Sequence, residues 1–157
     1  MIVASALAQD EAKLMFAISI APSQNALQPG TPVWNVGASV FVIVTMTNNS
    51  NRTLHLSLIN TAFDYRMTVQ DDATGQPVSE TEQYRKMKES QKSQFQTARF
   101  IVVTLKPHES CRDTIDVSYL YDLSPLGEYS IQVEHDKPTE LGKGGVRSNV
   151  INATITP

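Results

Sequence analysis

The chain of 157 residues carries 13 basic and 16 acidic residues, a net charge of −3 with a pI near 5.5. This length fits one domain with a core that needs no disulfides, since a chain of about 150 residues buries roughly two thirds of its unfolded surface. The scattered basic residues argue against a nucleic-acid partner, which requires clustered Lys and Arg. No segment approaches the length of a membrane span.

The N-terminus, "MIVASALAQDE", is a short apolar run that ends in small residues and is followed by polar ones. This order is typical of the end of a secretory signal peptide. We therefore expect residues 1–8 to be the remnant of a signal peptide and residues 9–157 to form a single domain. The prediction places the protein in the periplasm or at the cell surface. The alternative is a frayed, Ala-rich terminus.

The first half of the chain alternates apolar and polar residues with a period of two, which predicts strands with one buried face. A loop rich in Pro and Gly, residues 22–37, follows the first strand. The turns at 48–52 and 71–77 separate the later strands. The predicted strands are 14–20, 38–47, 53–60 and 63–70.

Residues 79–95, "SETEQYRKMKESQKSQF", interrupt the alternation. Ser79 followed by Glu82 resembles a capping box, and the segment is rich in good helix formers. Its apolar residues are too few for a strongly amphipathic helix. The pattern predicts a short exposed helix or a mobile insert that lies over one sheet edge.

The second half returns to the strand pattern and ends without a visible repeat. The loop at 136–145 contains three glycines and is predicted to be flexible. About eight short strands separated by turns predict an all-β, antiparallel β-sandwich. The remaining predicted strands are 97–105, 111–120, 128–135 and 146–156.

The stretch "YDLSPLGEYSIQVEH", residues 121–135, joins a turn to a strand. Ser124, Pro125 and Gly127 occupy positions that a type I turn favours. Tyr129 follows at the start of an inward-alternating strand, the position of the tyrosine corner in immunoglobulin-like sandwiches. We therefore predict that Ser124, Pro125, Gly127 and Tyr129 form a structural corner.

The segments "VGASVFVIVTMTNNSNRTL", "LKPHES" and "DVSYLYDLSPLGEYSIQVEH" resemble exported bacterial immunoglobulin-like, or fibronectin-like, β-sandwich domains. The resemblance covers the chain from about residue 36 onward, apart from the insert. It implies an immunoglobulin-like sandwich without the antibody disulfide, since Ile131 stands where antibody domains have Cys. The sequence also resembles, to a lesser extent, bacterial proteinase-inhibitor-like sandwich domains.

Catalysis is not indicated by the Asp, Ser and His of this stretch. Ser124 precedes Pro in a turn and lacks the G-x-S-x-G elbow that exposes a nucleophile. The strand between Ser124 and His135 spans about 25 Å, which separates a nucleophile from its base. We predict that the protein is not an enzyme and binds no cofactor.

Three residues are the candidates for a metal site: His108, Cys111 and His135. They lack helical pairing and a C-x-x-C spacing, so the pattern favours solvated turn residues over ligands. Cys111 shares its alternation with Ile115 and Val117, which favours burial over a reactive thiol or an intermolecular bridge.

The sequence thus predicts a non-catalytic, exported binding or accessory module that contacts a protein partner or ligand. The candidate contact surface consists of the loops 48–52, 106–110 and 135–145, with the insert as a second candidate. One alternative is a proteinase inhibitor that uses the loop 22–37. The other is a metal-binding protein that uses His108, Cys111 and His135. The oligomeric state and the identity of the partner stay open.

Overall fold

The computed structural model of the chain describes residues 15–23, 32–94 and 99–157. None of the helices in these ranges is long and apolar enough to cross a membrane. The predicted signal-peptide remnant, residues 1–8, lies outside the described residues.

The strands are β1 (Phe16–Pro22), β2 (Val33–Asn35), β3 (Phe41–Asn48), β4 (Leu54–Leu58), β5 (Arg66–Asp71), β6 (Ile101–Leu105), β7 (Ser110–Asp116), β8 (Gly127–Asp136), β9 (Gly145–Arg147) and β10 (Ile151–Thr156). The helices are α1 (Thr61–Asp64), α2 (Glu82–Gln94) and α3 (Val117–Leu120), and Thr139–Leu141 forms a 3-10 turn.

Two sheets form the sandwich. The first has the order β1–β3–β7, and the second has the order β2–β10–β8–β5 with β9 added to β8. All of these pairs are antiparallel except β2, which runs parallel to β10. The prediction of an all-β, immunoglobulin-like antiparallel sandwich is confirmed, with ten short strands in the described residues.

The core follows from the period of two along the central strands. Val42 and Val44 of β3 are fully buried, and so are Ile131 and Val133 of β8. Each such side chain stabilises the fold by about 1.5–3 kcal/mol, because burial removes its apolar surface from water. These residues belong to one continuous apolar cluster that draws on both sheets.

The strands β4 and β6 form a two-stranded ribbon that continues the pair β3–β7. Thr47 of β3 pairs with Ser110 of β7, and beyond the bend Leu54 of β4 pairs with Leu105 of β6. The polypeptide therefore runs as one long ribbon that bends where the segments 48–53 and 106–109 meet.

The insert contains the predicted helix, α2, which packs on the side of the sandwich. Tyr84 is buried, contacts the rings of Phe63 and Tyr121, and donates a hydrogen bond to the carbonyl of Ala62 at 3.0 Å. The predicted capping box is wrong, because the hydroxyl of Thr81 accepts from the backbone N–H of Tyr84 and so caps the helix.

Two predicted strands contain a helical turn. Asn60 accepts from the backbone N–H of Ala62 and starts α1, so β5 begins only at Arg66. Asp116 caps α3 by accepting from Tyr119, so the predicted strand 111–120 ends early. In both places a short polar side chain offers the backbone N–H groups a local partner.

The segment 22–37 includes a strand that the sequence pattern did not predict. Trp34 of β2 is buried and pairs in parallel register with Ile155 of β10. Its indole N–H is the one buried side-chain polar group without a hydrogen-bond partner in the part of the chain that the structure describes. Residues 24–31 of this loop, which the inhibitor hypothesis requires, lie outside the described residues.

Candidate binding surfaces at the two ends of the sandwich

The strands place the connecting segments at two opposite ends. We call one end, formed by residues 48–53, 106–109 and 136–144, the loop end. We call the other, formed by residues 36–41, 71–76 and 116–128, the recess end. Both β3 and β8 run from the recess end to the loop end.

Asn48 is the hydrogen-bonding centre of the loop end. It is fully buried, and its Nδ2 donates to the carbonyls of Arg52, Leu105 and Lys106 at 2.8, 2.9 and 3.0 Å. Its Oδ1 accepts from the backbone N–H and the hydroxyl of Ser50. One side chain therefore joins two segments that are distant in sequence.

The turn between β6 and β7 is fixed by the same asparagine. The N–H of His108 donates to the carbonyl of Asn48 at 2.7 Å, and the N–H of Asn48 donates to the carbonyl of Glu109 at 2.9 Å. The carboxylate of Glu109 accepts from the N–H of Lys106 at 2.8 Å. His108 adopts a φ of 64°, so the turn imposes a left-handed backbone on a residue other than Gly.

The third segment of the loop end is connected to β4. The carboxylate of Glu140 accepts from the backbone N–H of His55 at 3.1 Å. Lys137 donates its backbone N–H to the carbonyl of Gly144 at 3.0 Å, which closes the loop on itself. These contacts hold the glycine-containing loop against the neighbouring ribbon.

An ion-pair network lies beside this loop. Glu134 accepts from Arg66 at 2.6 Å and from Arg147 at 2.9 Å, and Arg66 also contacts Asp136 at 3.0 Å. The two guanidinium groups hold the pKa of Glu134 below its usual value. A Cβ at Gly145 would lie 2.0 Å from Glu134 Oε1, so any other residue at this position would displace the side-chain ends of Glu134 and Arg66.

His135 lies beneath the loop end as part of the core. It is 7% exposed, and its ring packs 5.5 Å from the ring of Tyr65 and 6.4 Å from that of Phe16. Its Nδ1 bonds the carbonyl of Asp136. The buried ring is therefore a packing residue and is not presented at the loop surface.

The three metal candidates occupy different surroundings. His108 is exposed on its turn, whereas Cys111 is half-buried on β7 and pairs with Met46 of β3. Burial raises the pKa of the Cys111 thiol, which keeps it protonated at neutral pH. Within residues 15–23, 32–94 and 99–157, no group of three or more His, Cys, Asp or Glu residues could hold a metal ion.

The corner stretch lies at the recess end. Tyr129 is buried, and its hydroxyl donates to the carbonyl of Pro125 at 2.6 Å. Gly127 adopts a φ of 151°, which only glycine tolerates well. The N–H and hydroxyl of Ser124 both donate to Asp122 Oδ1, and these bonds lower the pKa of Asp122.

Ser124 and His135 lie at opposite ends of β8. The ten residues of this strand extend over about 30 Å at the usual rise per residue. A hydroxyl and an imidazole at this separation cannot share a proton, so the stretch holds no catalytic pair.

A cavity of about 220 Å³ opens at the recess end. Its walls combine hydroxyl, amide and carboxylate groups with small and aliphatic side chains. No sequence pattern indicates this cavity, because its walls come from five separate segments. The lining residues are Asn35, Gly37, Ala38, Thr81, Ser118, Asp122, Leu123, Ser124 and Ile155.

Sequence reasoning also missed the role of Asn48, which it placed in a polar turn between two strands. The alternation offered a cue, since Val42, Val44, Met46 and Asn48 all point to the same face of β3. A polar residue at an inward position needs partners, and the carbonyls of the β6–β7 connection supply them.

The sequence matches no protein-family description and no curated protein. Among solved structures, the chain is similar to the CARDB domain of a Pyrococcus furiosus protein, crystallised in complex with di-metal ions. The identity is 12% and the TM-score 0.44, over 90% of this chain and 87% of that one. The solution structure of the same domain gives 13% and 0.42, over 90% and 94%.

A β-glucosidase from Listeria innocua, solved with isofagomine, is 15% identical with a TM-score of 0.45. The match covers 89% of this chain but spans only 16% of that enzyme. With TM-scores below 0.5, these similarities carry no argument about function. The sandwich is assigned from its own strand order and register.

Proposed function

We propose that the protein is a non-catalytic, exported binding or accessory module whose contact surface is the loop end. The observation that carries the proposal is the buried Asn48, which joins the segments 48–53 and 106–109 into one surface. The Glu140 contact to His55 adds the third segment. Loops held on a rigid sandwich are a common location for recognition residues.

A surface that is already ordered binds with less loss of conformational entropy than a mobile one. Ordering a flexible side chain on binding costs about 0.5–1.5 kcal/mol, and loops that are fixed beforehand avoid part of this cost. The buried amide of Asn48 and the left-handed turn at His108 fix the backbone of the loop end before any partner arrives.

The charge of the loop end suits a protein partner with mixed charge. Its segments, extended through Arg147, carry five basic and three acidic residues. Such a mixed surface selects partners by the pattern of charges more than by a single sign. The basic residues are Arg52, Lys106, Lys137, Lys143 and Arg147, and the acidic residues are Glu109, Asp136 and Glu140.

Site-specific photo-crosslinking in the source cell tests this proposal. A benzophenone side chain is introduced at the exposed loop-end positions Asn51 and Lys143, and at Thr68 on the outer face of β5 as a control. We expect defined adducts from both loop-end positions and none from Thr68. Adducts from Thr68 alone, or an absence of adducts from both loop-end positions, would refute the proposal.

A further inference from the structure

The recess end differs from the rest of the surface in its charge. Its three segments carry five acidic residues and no basic residue. None of these carboxylates takes part in an ion pair among the described residues. The acidic residues are Asp71, Asp72, Asp116, Asp122 and Glu128.

Apolar side chains stand exposed around the cavity of the same end. Val36 is 46% exposed, Tyr119 is 45% exposed and Leu126 is 56% exposed. Val36 and Tyr119 are chain neighbours of the lining residues Gly37 and Ser118, and Leu126 follows the lining residue Ser124 by two positions. Exposed apolar side chains next to a cavity are typical of a contact site for another molecule.

We propose that the recess end is a second docking surface, which binds a segment of a partner protein that carries a Lys or Arg side chain between apolar residues. The basic side chain enters the cavity and meets the carboxylate of Asp122. The apolar neighbours of that side chain cover Val36, Tyr119 and Leu126. This surface is distinct from the loop end and does not depend on the function proposed for it.

Charge complementarity selects this occupant over a neutral or acidic one. Ser124 donates both of its hydrogen bonds to Asp122 Oδ1, and no described residue bonds the second oxygen, Oδ2. An ionised carboxylate with a free oxygen is a strong acceptor for an ammonium or guanidinium group. The surrounding carboxylates add a negative potential that attracts cations and repels acidic segments.

Binding of short peptides to the recess end tests this proposal. The full chain, labelled with ¹⁵N, is titrated with acetylated and amidated Leu-Arg-Val, and with the matched Leu-Gln-Val and Leu-Glu-Val. We expect the arginine peptide to shift the amide resonances of Asn35, Ser118 and Ser124. The glutamine peptide should bind several-fold more weakly, and the glutamate peptide should cause no shift.

Two variants test the residues that the proposal names. Asp122→Asn keeps the shape of the side chain and the bonds from Ser124, and we expect it to weaken the arginine peptide about two- to fivefold, as for one exposed charge pair. Leu126→Gln should weaken both the arginine and the glutamine peptide. Asp136→Asn removes the same charge from the loop end and should leave the affinity unchanged.

Three results would overturn the proposal. The first is equal binding of the arginine and glutamine peptides, and the second is the same affinity for Asp122→Asn as for Asp136→Asn. The third is a set of shifts at the recess end that appears when the protein is concentrated without peptide, because the occupant is then a second copy. Failure of the loop-end crosslinks would affect none of these readouts.

Discussion

The two ends of the sandwich are held together in different ways. At the loop end, the amide of Asn48 reaches the carbonyl of Leu105, 57 residues away in sequence. At the recess end, Asp71, Asp116 and Asp122 each accept from groups within three residues of themselves. The loop end thus depends on long-range contacts, whereas these carboxylates stabilise their own turns.

This difference determines which end can change without loss of the fold. A local turn that is stabilised by its own carboxylate keeps its shape when a neighbour is altered. A buried amide that joins distant segments leaves several polar groups unpaired when it is removed. The loop end is therefore part of the cooperative fold, whereas the carboxylates of Asp71, Asp116 and Asp122 at the recess end can change with less effect on it.

The largest effect is expected from Asn48→Ala. The change removes the donors to Arg52, Leu105 and Lys106 and the acceptor for Ser50, in a place that excludes most water. We expect a loss of about 3 kcal/mol in the free energy of unfolding, measured by urea denaturation.

Asn51→Ala is the matched control, because Asn51 is an exposed neighbour in the same segment. Its stability should lie within about 0.5 kcal/mol of the wild type. Equal losses for the two alanine variants would contradict the view that the loop end depends on one buried amide.

A smaller effect is expected at the recess end from Tyr129→Phe. The variant keeps the buried ring and removes only the hydroxyl that donates to Pro125. We expect a loss of about 1 kcal/mol in the free energy of unfolding, as for one hydrogen bond. Tyr119→Phe, at an exposed ring on α3, should match the wild type. A larger loss for Tyr119→Phe than for Tyr129→Phe would contradict this account of the corner.

The smallest expected effect is a difference in how the pKa of one carboxyl group at each end responds to salt. Guanidinium groups lower the pKa of Glu134, whereas the N–H and hydroxyl of Ser124 lower the pKa of Asp122. The Debye length falls from about 10 Å at 0.1 M salt to about 3 Å at 1 M. We therefore expect salt to raise the pKa of Glu134 toward its usual value and to change that of Asp122 less, as followed by carboxyl ¹³C NMR.

Gly145→Ala gives the same test without salt. A Cβ at this position displaces the carboxylate of Glu134, so its pKa should rise while that of Asp122 stays constant. Because the pKa of Glu134 is lowered in the folded state, its contribution to stability is present above the ordinary carboxyl pKa and is lost as the pH falls through the lowered value. An equal salt response at both carboxyls would show that the two ends do not differ in this respect.

The sequence predicted the sandwich because its central strands carry clear strand patterns. The run that became β3 is nearly all apolar or β-branched, as is typical of a central strand, and the run that became β8 alternates with Tyr129, Ile131 and Val133 inward. The prediction was less accurate where a polar side chain accepts hydrogen bonds from nearby backbone N–H groups. Asp116 and Asn60 each start a helical turn inside a predicted strand.

The binding surfaces were only partly predictable. The loops of the loop end follow from the turn residues between strands, but their connection through Asn48 depends on carbonyls that only the fold brings near. The cavity of the recess end could not be predicted from the sequence, because Asn35, Thr81 and Ser124 become neighbours only after both sheets and α2 are in place.

The long ribbon of the sandwich has a kinetic consequence. Thr47 of β3 and Ser110 of β7 pair across 63 residues of sequence, and β4, β5, α2 and β6 all lie between them. Pairings of such high sequence separation pay their loop-closure entropy before they gain contacts, which makes folding slow, on the order of milliseconds to seconds. Asn48 stands where this loop closes, so we expect its bonds to form only once the two halves of the ribbon have met.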